Sequence, residues 1–465
     1  MERPNAWSTY TADQLAELEE FAGAYTTFIS QNKTERECVA SAIKLAEAAG
    51  YQNLDDLIEA GAALQEGSRV YASNRGKSLI LIELGRELLT KGMNILGAHV
   101  DSPRLDVKQN PLEEKNDLAY FDTHYYGGVK KYQWVTLPLA IHGVVAKKDG
   151  TLVNVCVGED PADPVFVISD LLIHLSQEQL QKKAAEVIEG EMLDLLVAHK
   201  PLVIEDEDDK KDLVKRGLLH ILAECYGIDE EDLISAELEI VPAGPARDQG
   251  FDRSMILGYG HDDRSCSYPS LRAQIELDEI PERTALTILV DKEEIGSVGS
   301  TGMTSRFFEN VVAEVLALAG YGDGSLALRR CLANSHMLSS DVSAGFDPSF
   351  ASAFEPKNAA YLGRGLAFNK FTGRGGKSGS NDADAEYVAL IRRVMDEHGV
   401  NWQTAELGKV DLGGGGTIAY ILAKYGMRVI DCGVPVLSMH APWETISKAD
   451  LYEAYRGYQA FLTIA

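Results

Sequence analysis

Asn94-Ile95-Leu96-Gly97-Ala98-His99-Val100-Asp101-Ser102-Pro103 decides how the rest of the chain is read. Its first five residues form a short uncharged run, as expected of a strand buried on both faces. A histidine and a carboxylate two residues apart follow at once. The same construction recurs downstream. Ala285 to Val290 runs into Asp291-Lys292-Glu293-Glu294, and Met337-Leu338 runs into Ser339-Ser340-Asp341. Helical stretches lie between and after these runs, from about Thr304 to Ala319, Thr417 to Tyr425 and Ser447 to Ile464, with a further strand at Arg428 to Asp431. This alternation predicts an α/β fold with a central mixed, mainly parallel sheet flanked by helices.

Working outward, the first fifty residues read as helices. Thr11 with Gln14, and Thr34 with Glu37, have capping-box spacing. Leu15, Leu18, Phe21, Ala22 and Tyr25 recur at helical period, and Gly50 suits a left-handed helix end. Val70-Tyr71-Ala72 and Leu79 to Ile82, joined through Asn74-Arg75-Gly76, predict a hairpin. The middle of the chain differs. It holds a β-rich stretch from Trp134 to Val145, strand-like Leu152 to Val157, a charged helical stretch, and the acidic run Glu205 to Asp209, read as a solvated loop. The Pro/Gly-rich stretch Pro242 to Gly250 closes it. The expected division is a discontinuous α/β domain of residues 1–104 and 251–465, with a β-rich domain of residues 105–250 inserted.

The chain has 465 residues, with 44 Lys and Arg against 71 Asp and Glu, for a net charge of −27. Such acidity repels nucleic-acid phosphates and anionic lipids, so neither is an expected partner. No stretch reaches the roughly 18 apolar residues of a membrane span, and Met1 to Trp7 lacks the basic and apolar regions of a signal peptide. The cysteines, Cys38, Cys156, Cys225, Cys266, Cys331 and Cys432, are scattered without a C-x-x-C pair. Reduced thiols and a cytoplasmic location are the expectation.

Taken singly, each candidate group has an ordinary explanation as a packed histidine or a surface ion pair. Together they do not. His99 with Asp101, Asp262-Asp263-Arg264, Glu293-Glu294, Asp341, and His440 in Leu437-Ser438-Met439-His440 are all placed beside apolar strands. In open α/β sheets, sites form beyond the carboxyl ends of strands. Massing that many acids without a cation is unfavourable. Two divalent ions roughly 3.5–4 Å apart need a bridging carboxylate and further ligands, and a carboxylate not bound to metal must take a water's proton. The Glu293-Glu294 pair offers both functions, and Asp101 is placed to hold the second nitrogen of His99.

These motifs, in this order, resemble the aspartyl aminopeptidases, a group that includes vacuolar aminopeptidase I. The likeness rests on Gly97 to Pro103, Asp291-Lys292-Glu293-Glu294-Ile295-Gly296-Ser297 and Leu437 to His440, with Tyr126-Gly127-Gly128 and the glycine run Gly413 to Thr417. It implies a metallo-aminopeptidase in which Asp262 bridges two ions, zinc first and cobalt or manganese as alternatives. His99 and Asp341 would complete one metal site, and Glu294 and His440 the other. Glu293 would be the general base and Asp101 the support of His99. It also implies that the inserted domain drives oligomerisation, with dimers built into a dodecamer, and that His174 reaches a neighbouring subunit's active site. Substrates would be peptides with a free N-terminus, with a preference for acidic N-terminal residues served by Arg374 or Lys377. A carboxypeptidase, an N-acyl amino acid deacylase and a non-catalytic scaffold remain as alternatives. A nucleotide-binding loop does not: Phe371 stands where the phosphate-loop spacing needs glycine, and the run Gly413 to Gly416 is not followed by lysine.

Overall fold

The computed structural model describes residues 3–203, 211–322 and 324–465. The chain divides into two compact units. The larger comprises Met1–Ser102, Ala246–Met439 and Glu444–Ala465, and the smaller Pro103–Pro245 with His440–Trp443. The sequence placed the insertion at 105–250 and kept His440 in the α/β domain. Residues 440–443 instead group with the smaller unit, where His440 Nδ1 donates to the Gly128 carbonyl at 2.9 Å.

The larger unit is built on a nine-stranded sheet. Its order is Gln52–Asn53, Arg69–Asn74, Ser78–Glu83, Thr284–Val290, Met93–His99, His336–Ser340, Arg428–Gly433, Leu366–Asn369 and Trp402–Thr404. The pairings among Thr284–Val290, Met93–His99, His336–Ser340 and Arg428–Gly433 are parallel, whereas the hairpin Arg69–Asn74 with Ser78–Glu83 is antiparallel. The apolar runs are continuous because alternate residues enter two different cores. Leu79, Leu81, Leu96, Ala98, Leu289 and Leu338 pack with the helices Ala12–Gln31, Glu35–Ala48 and Lys448–Leu462. Ile80, Ile82, Ile95, Leu286, Ile288 and Met337 pack with Phe307–Leu316 and Ser325–Ala333. A strand buried on both faces has no polar register to display.

Both capping boxes form. Thr11 and Thr34 accept from the backbones of Gln14 and Glu37, whose side chains reach back to the cap N–H groups. Gly50 takes its left-handed conformation at φ 86°. Two helices are shorter than the sequence suggests. The helix expected over 304–319 runs Phe307–Leu316 and ends in a wider turn, broken at Gly320, where φ is 86°. The helix expected over 417–425 is Ala419–Ala423, and the Thr417 hydroxyl before it accepts the Ala419 N–H and donates to Asp431.

A separate five-stranded sheet joins Arg247–Gln249, Met255–Gly258, Glu444–Ser447, Pro435–Leu437 and Ser343–Ala344. The smaller unit holds a six-stranded antiparallel sheet in the order Leu152–Val157, Leu139–Ala146, Ala236–Pro242, Arg104–Lys115, Leu118–Tyr126 and Leu195–Ala198. Strand structure starts at Leu139, and Trp134 is buried at the end of a 3-10 turn. The charged helical stretch expected before the acidic run forms only the 3-10 turns Ile173–Leu175, Gln179–Gln181 and Gly190–Met192, while the helix of this region is Leu213–Tyr226. The acidic run itself lies outside the described residues.

Asp431 lies buried on the strand Arg428–Gly433, and burial raises its carboxyl to about 7 against the hydrogen bond from Thr417. A carboxyl whose folded value lies above its unfolded value of about 3.9 favours the fold while protonated, and this stability is lost as pH rises through the folded value. Asp431→Asn keeps an acceptor for Thr417 and removes the charge. It is expected to be more stable than the parent by on the order of a few kcal/mol near pH 8, with the gap closing towards about pH 4. Denaturant unfolding at both pH values checks this; an equal effect at both refutes it.

Candidate active site

Parallel pairing assembles the site. His99 is in register with Val290 on one side, and Gly97 with Ser339 on the other. Neighbouring strands lie about 4.8 Å apart. Their carboxyl ends therefore bring together His99, the turn after Val290 and Asp341, which follows Ser340.

His99 is fixed by Asp101. The ring's Nδ1 lies 3.3 Å from Asp101 Oδ1 and 3.1 Å from the Asp101 carbonyl. Both are acceptors, so Nδ1 carries the hydrogen and Nε2 points the other way. Nε2 lies 3.2 Å from Asp262 Oδ1, 4.0 Å from Glu293 Oε2 and 4.0 Å from Asp341 Oδ1. Asp101 also accepts the backbone N–H groups of Glu293 and Glu294, at 3.1 and 3.2 Å. These two residues begin a 3-10 turn, Glu293–Ile295, entered through Lys292 in the left-handed region at φ 67°. One buried carboxylate thus aligns the histidine and the glutamate pair.

Asp262 differs from the sequence expectation. It does not end a strand of the large sheet. Met255–Gly258 belongs to the five-stranded sheet, and Asp262 sits in the first turn of the helix His261–Ile275 with non-helical backbone. The Asp262–Asp263 peptide is cis. The Asp262 backbone is held from two sides: its N–H donates to Glu444 Oε2 at 3.1 Å, and its carbonyl accepts from the Ser102 hydroxyl at 2.6 Å. Asp263 accepts the backbone N–H of His99 at 3.3 Å. Arg264 is fully buried and donates to the carbonyls of Lys33 and Val100 at 2.8 and 3.3 Å. His261 donates from Nε2 to the Ile256 carbonyl and accepts the Tyr25 hydroxyl at Nδ1; burial pulls its pKa down to about 3. Ser102, Glu444 and Tyr25 were not singled out from sequence. Their roles depend on pairings between distant segments, such as Gly258 with Glu444.

The remaining candidates belong to other segments of the chain. His440 is in the smaller unit's segment 440–443, as described above, and its Nδ1 bond to Gly128 assigns any ligand role to Nε2. His174 lies exposed in the smaller unit, on the turn Ile173–Leu175. Lys377 pairs with Asp382 at 2.9 Å and packs over the Phe371 ring, and Arg374 forms a bridge with Ser378.

The donor set fits a divalent cation. His99, Asp262 and Asp341 offer ligand atoms within 4.8 Å of one another, and Asp262 and Glu294 meet the same limit. An Nε2 lone pair facing three carboxylates needs a positive charge between them. In the protein alone a proton supplies it: burial depresses the His99 pKa, but its bonds to Asp101 and Asp262 outweigh burial and hold it well above the ordinary value. Burial, followed by the charges of Glu293, Asp262 and Asp263, pushes Asp341 well up. Carboxylates so crowded are stabilised as anions by a bound cation. A mixed imidazole and carboxylate set suits zinc.

Fold and site therefore define a metal-dependent hydrolase whose centre lies at the carboxyl ends of parallel strands. The family model of the aminopeptidase I zinc metalloproteases (M18) matches residues 28–462, and the chain belongs to that family. A probable M18 family aminopeptidase 1 of Clostridium acetobutylicum is 60% identical over 461 residues, covering 99% of this chain and 98% of the relative. The crystal structure of aminopeptidase I from that organism superposes with a TM-score of 0.92 over 99% of both chains. That of an M18 aminopeptidase from Thermotoga maritima, 44% identical, gives 0.94 over 99% of both. The protein is a metallo-aminopeptidase that removes N-terminal residues from peptides, which sets aside the carboxypeptidase, deacylase and scaffold alternatives.

Asp101→Asn tests the alignment. An amide offers one acceptor oxygen where the carboxylate offers two, so at least one of the three donors around it meets an NH₂ group. Metal affinity is expected to fall about 10–100-fold, as for other supports of metal-binding histidines. Competition with a chelator measures it; unchanged metal retention refutes the assignment.

Proposed function

We propose that the enzyme works with two divalent ions, zinc by preference, with cobalt or manganese able to replace it. His99 and Asp341 would hold one, Glu294 and His440 the other, and Asp262 would be shared between them. The observation that carries this reading is the orientation of His99, whose Nδ1 is fixed on Asp101 while Nε2 faces Asp262, Glu293 and Asp341. Bound there, the ions supply Lewis-acid polarisation of the scissile carbonyl and a water acidified to near-neutral pH.

The chain's own groups do the rest. Glu293 acts as general base: its carboxylate lies at the edge of the cluster, 14% exposed, with its backbone pinned by Asp101. It takes the attacking water's proton and delivers it to the leaving amine. The surrounding carboxylates hold the substrate's protonated N-terminus, which limits cleavage to the first peptide bond. Acidic N-terminal side chains are preferred, with Arg374 or Lys377 as their partner.

The assembly is a dimer-based dodecamer in which His174 reaches a neighbouring subunit's site. Supporting this, His174 stands among the exposed apolar residues Leu172, Ile173 and Leu175. In addition, one structural neighbour, 22% identical with a TM-score of 0.76, is a yeast mApe1 dodecamer. The location is cytoplasmic, in keeping with the free cysteines.

A panel of aminoacyl substrates with free and blocked N-termini, assayed after chelation and metal add-back, tests the reading. Glu293→Gln is expected to lower kcat about 10²–10⁴-fold while metal content holds. Retained activity in that variant removes Glu293 from its role, and cleavage of blocked substrates removes the N-terminus requirement.

A further inference from the structure

Beyond the metal centre, the larger unit carries a second polar cavity of different character. It has a volume of about 740 Å³ and is lined by Arg3, Lys357, Arg364, Arg392, Tyr361 and Trp402, among other residues; no aspartate or glutamate lines it. In a chain of net charge −27, four cationic side chains line one cavity, with Arg3 also 3.8 Å from Asp396, and they form a local concentration of positive charge. It lies beside Trp402–Thr404, the edge strand of the nine-stranded sheet. That strand is three strand spacings, roughly 14 Å, from His336–Ser340, whose end carries Asp341.

Two of the cations, Arg364 and Arg3, are held in place. Asp450, fully buried, accepts the backbone N–H groups of Gly363 and Gly365 at 2.7 Å each and so fixes the chain on both sides of Arg364. The Arg364 guanidinium packs over the Tyr361 ring at 4.4 Å. Tyr361 is itself anchored, by its hydroxyl on the Pro356 carbonyl and its N–H on Gln403. Arg3 lies 3.8 Å above the Trp402 ring, whose indole N–H is held by Asp396 at 2.9 Å. A neighbouring cavity of about 270 Å³ shares Asn358, Arg392, Trp402 and Thr404 and continues into Phe371, Val388 and Ile391, with Lys370 and Glu406 also on its wall. Guanidinium groups stacked on anchored aromatic rings lose little freedom when an anion binds.

We propose that this is a binding site for a small multivalent organic anion with an aromatic or apolar portion, such as an aromatic phosphate ester, separate from the peptide-cleaving centre. The anionic groups meet Arg364, Arg392, Lys357 and Arg3, and the apolar portion enters the second cavity. The site does not depend on the two-ion reading, since none of its residues is a candidate ligand.

The test titrates the metal-loaded enzyme with pyrenetetrasulfonate, a fluorescent aromatic polyanion whose sulfonates bind divalent ions weakly, and follows anisotropy. Saturable binding is expected, weakened roughly tenfold or more in Arg364→Ala/Arg392→Ala and unchanged in Glu293→Gln. Lys357→Glu, a charge reversal on an exposed side chain, provides a second variant that leaves the packing untouched and weakens binding in the same direction. Displacement by adenosine monophosphate alone assigns the site to aromatic phosphate esters, and equal displacement by inorganic phosphate assigns it to charge; both support the site. No saturable binding below about 1 mM, or equal affinity in all variants, overturns it.

Discussion

Parallel pairing of Met93–His99 with Thr284–Val290 and His336–Ser340 forces carboxylates together at one end of the sheet. The rest of the site manages the consequence. At separations near 4 Å, like charges repel strongly in a buried setting. The protein alone answers with protons: burial and mutual charge push Asp341 and Asp263 well up, and His99 holds its proton far above the ordinary range. A cation bound among them takes over that function. Metal affinity and the order of this end of the sheet are thus one property.

The supporting contacts act as a unit. Asp101 serves His99, Glu293 and Glu294 at once. Asp263 reaches the backbone of His99, and Arg264 reaches that of Val100, so the segment bearing Asp262 and the strand end bearing His99 are tied from both directions. Removing one member shifts partners of several others, and effects of substitutions here are not expected to add. The fully buried guanidinium of Arg264 also occupies the space beside Gly260, where a Cβ would lie 1.9 Å from Nη1. Gly260 has φ 75°, so both the space and the backbone call for glycine at the entry to this helix.

How far the sequence reveals this differs from element to element. The strands at 94–98 and 285–290 were legible because a strand buried on both faces must be a run without charges. The carboxylates after them were legible as a group, because massing acids at strand ends without a cation is unfavourable. Asp262 was read at the end of an apolar strand, and it lies in the first turn of the helix His261–Ile275. Its preceding strand belongs to a second sheet, through a pairing of Gly258 with Glu444 that no local pattern reports. Glu444 and Ser102 stayed hidden for the same reason. The shortened helix before Gly320 reflects a left-handed glycine that periodicity ignores.

The charge distribution carries the last step. With 71 acids against 44 bases, the chain is attractive to cations over most of its surface, and a protonated peptide N-terminus is such a cation. An acidic N-terminal side chain is repelled by the same field. Any preference for acidic residues therefore requires local cations strong enough to reverse it. Lys377 is already partly neutralised by Asp382, so its pairing must loosen for it to serve a substrate carboxylate. Were Lys377 that cation, a substrate carboxylate would compete for its ammonium group with Asp382, which Lys370 also pairs. A competition between surface charges of that kind would be sensitive to salt.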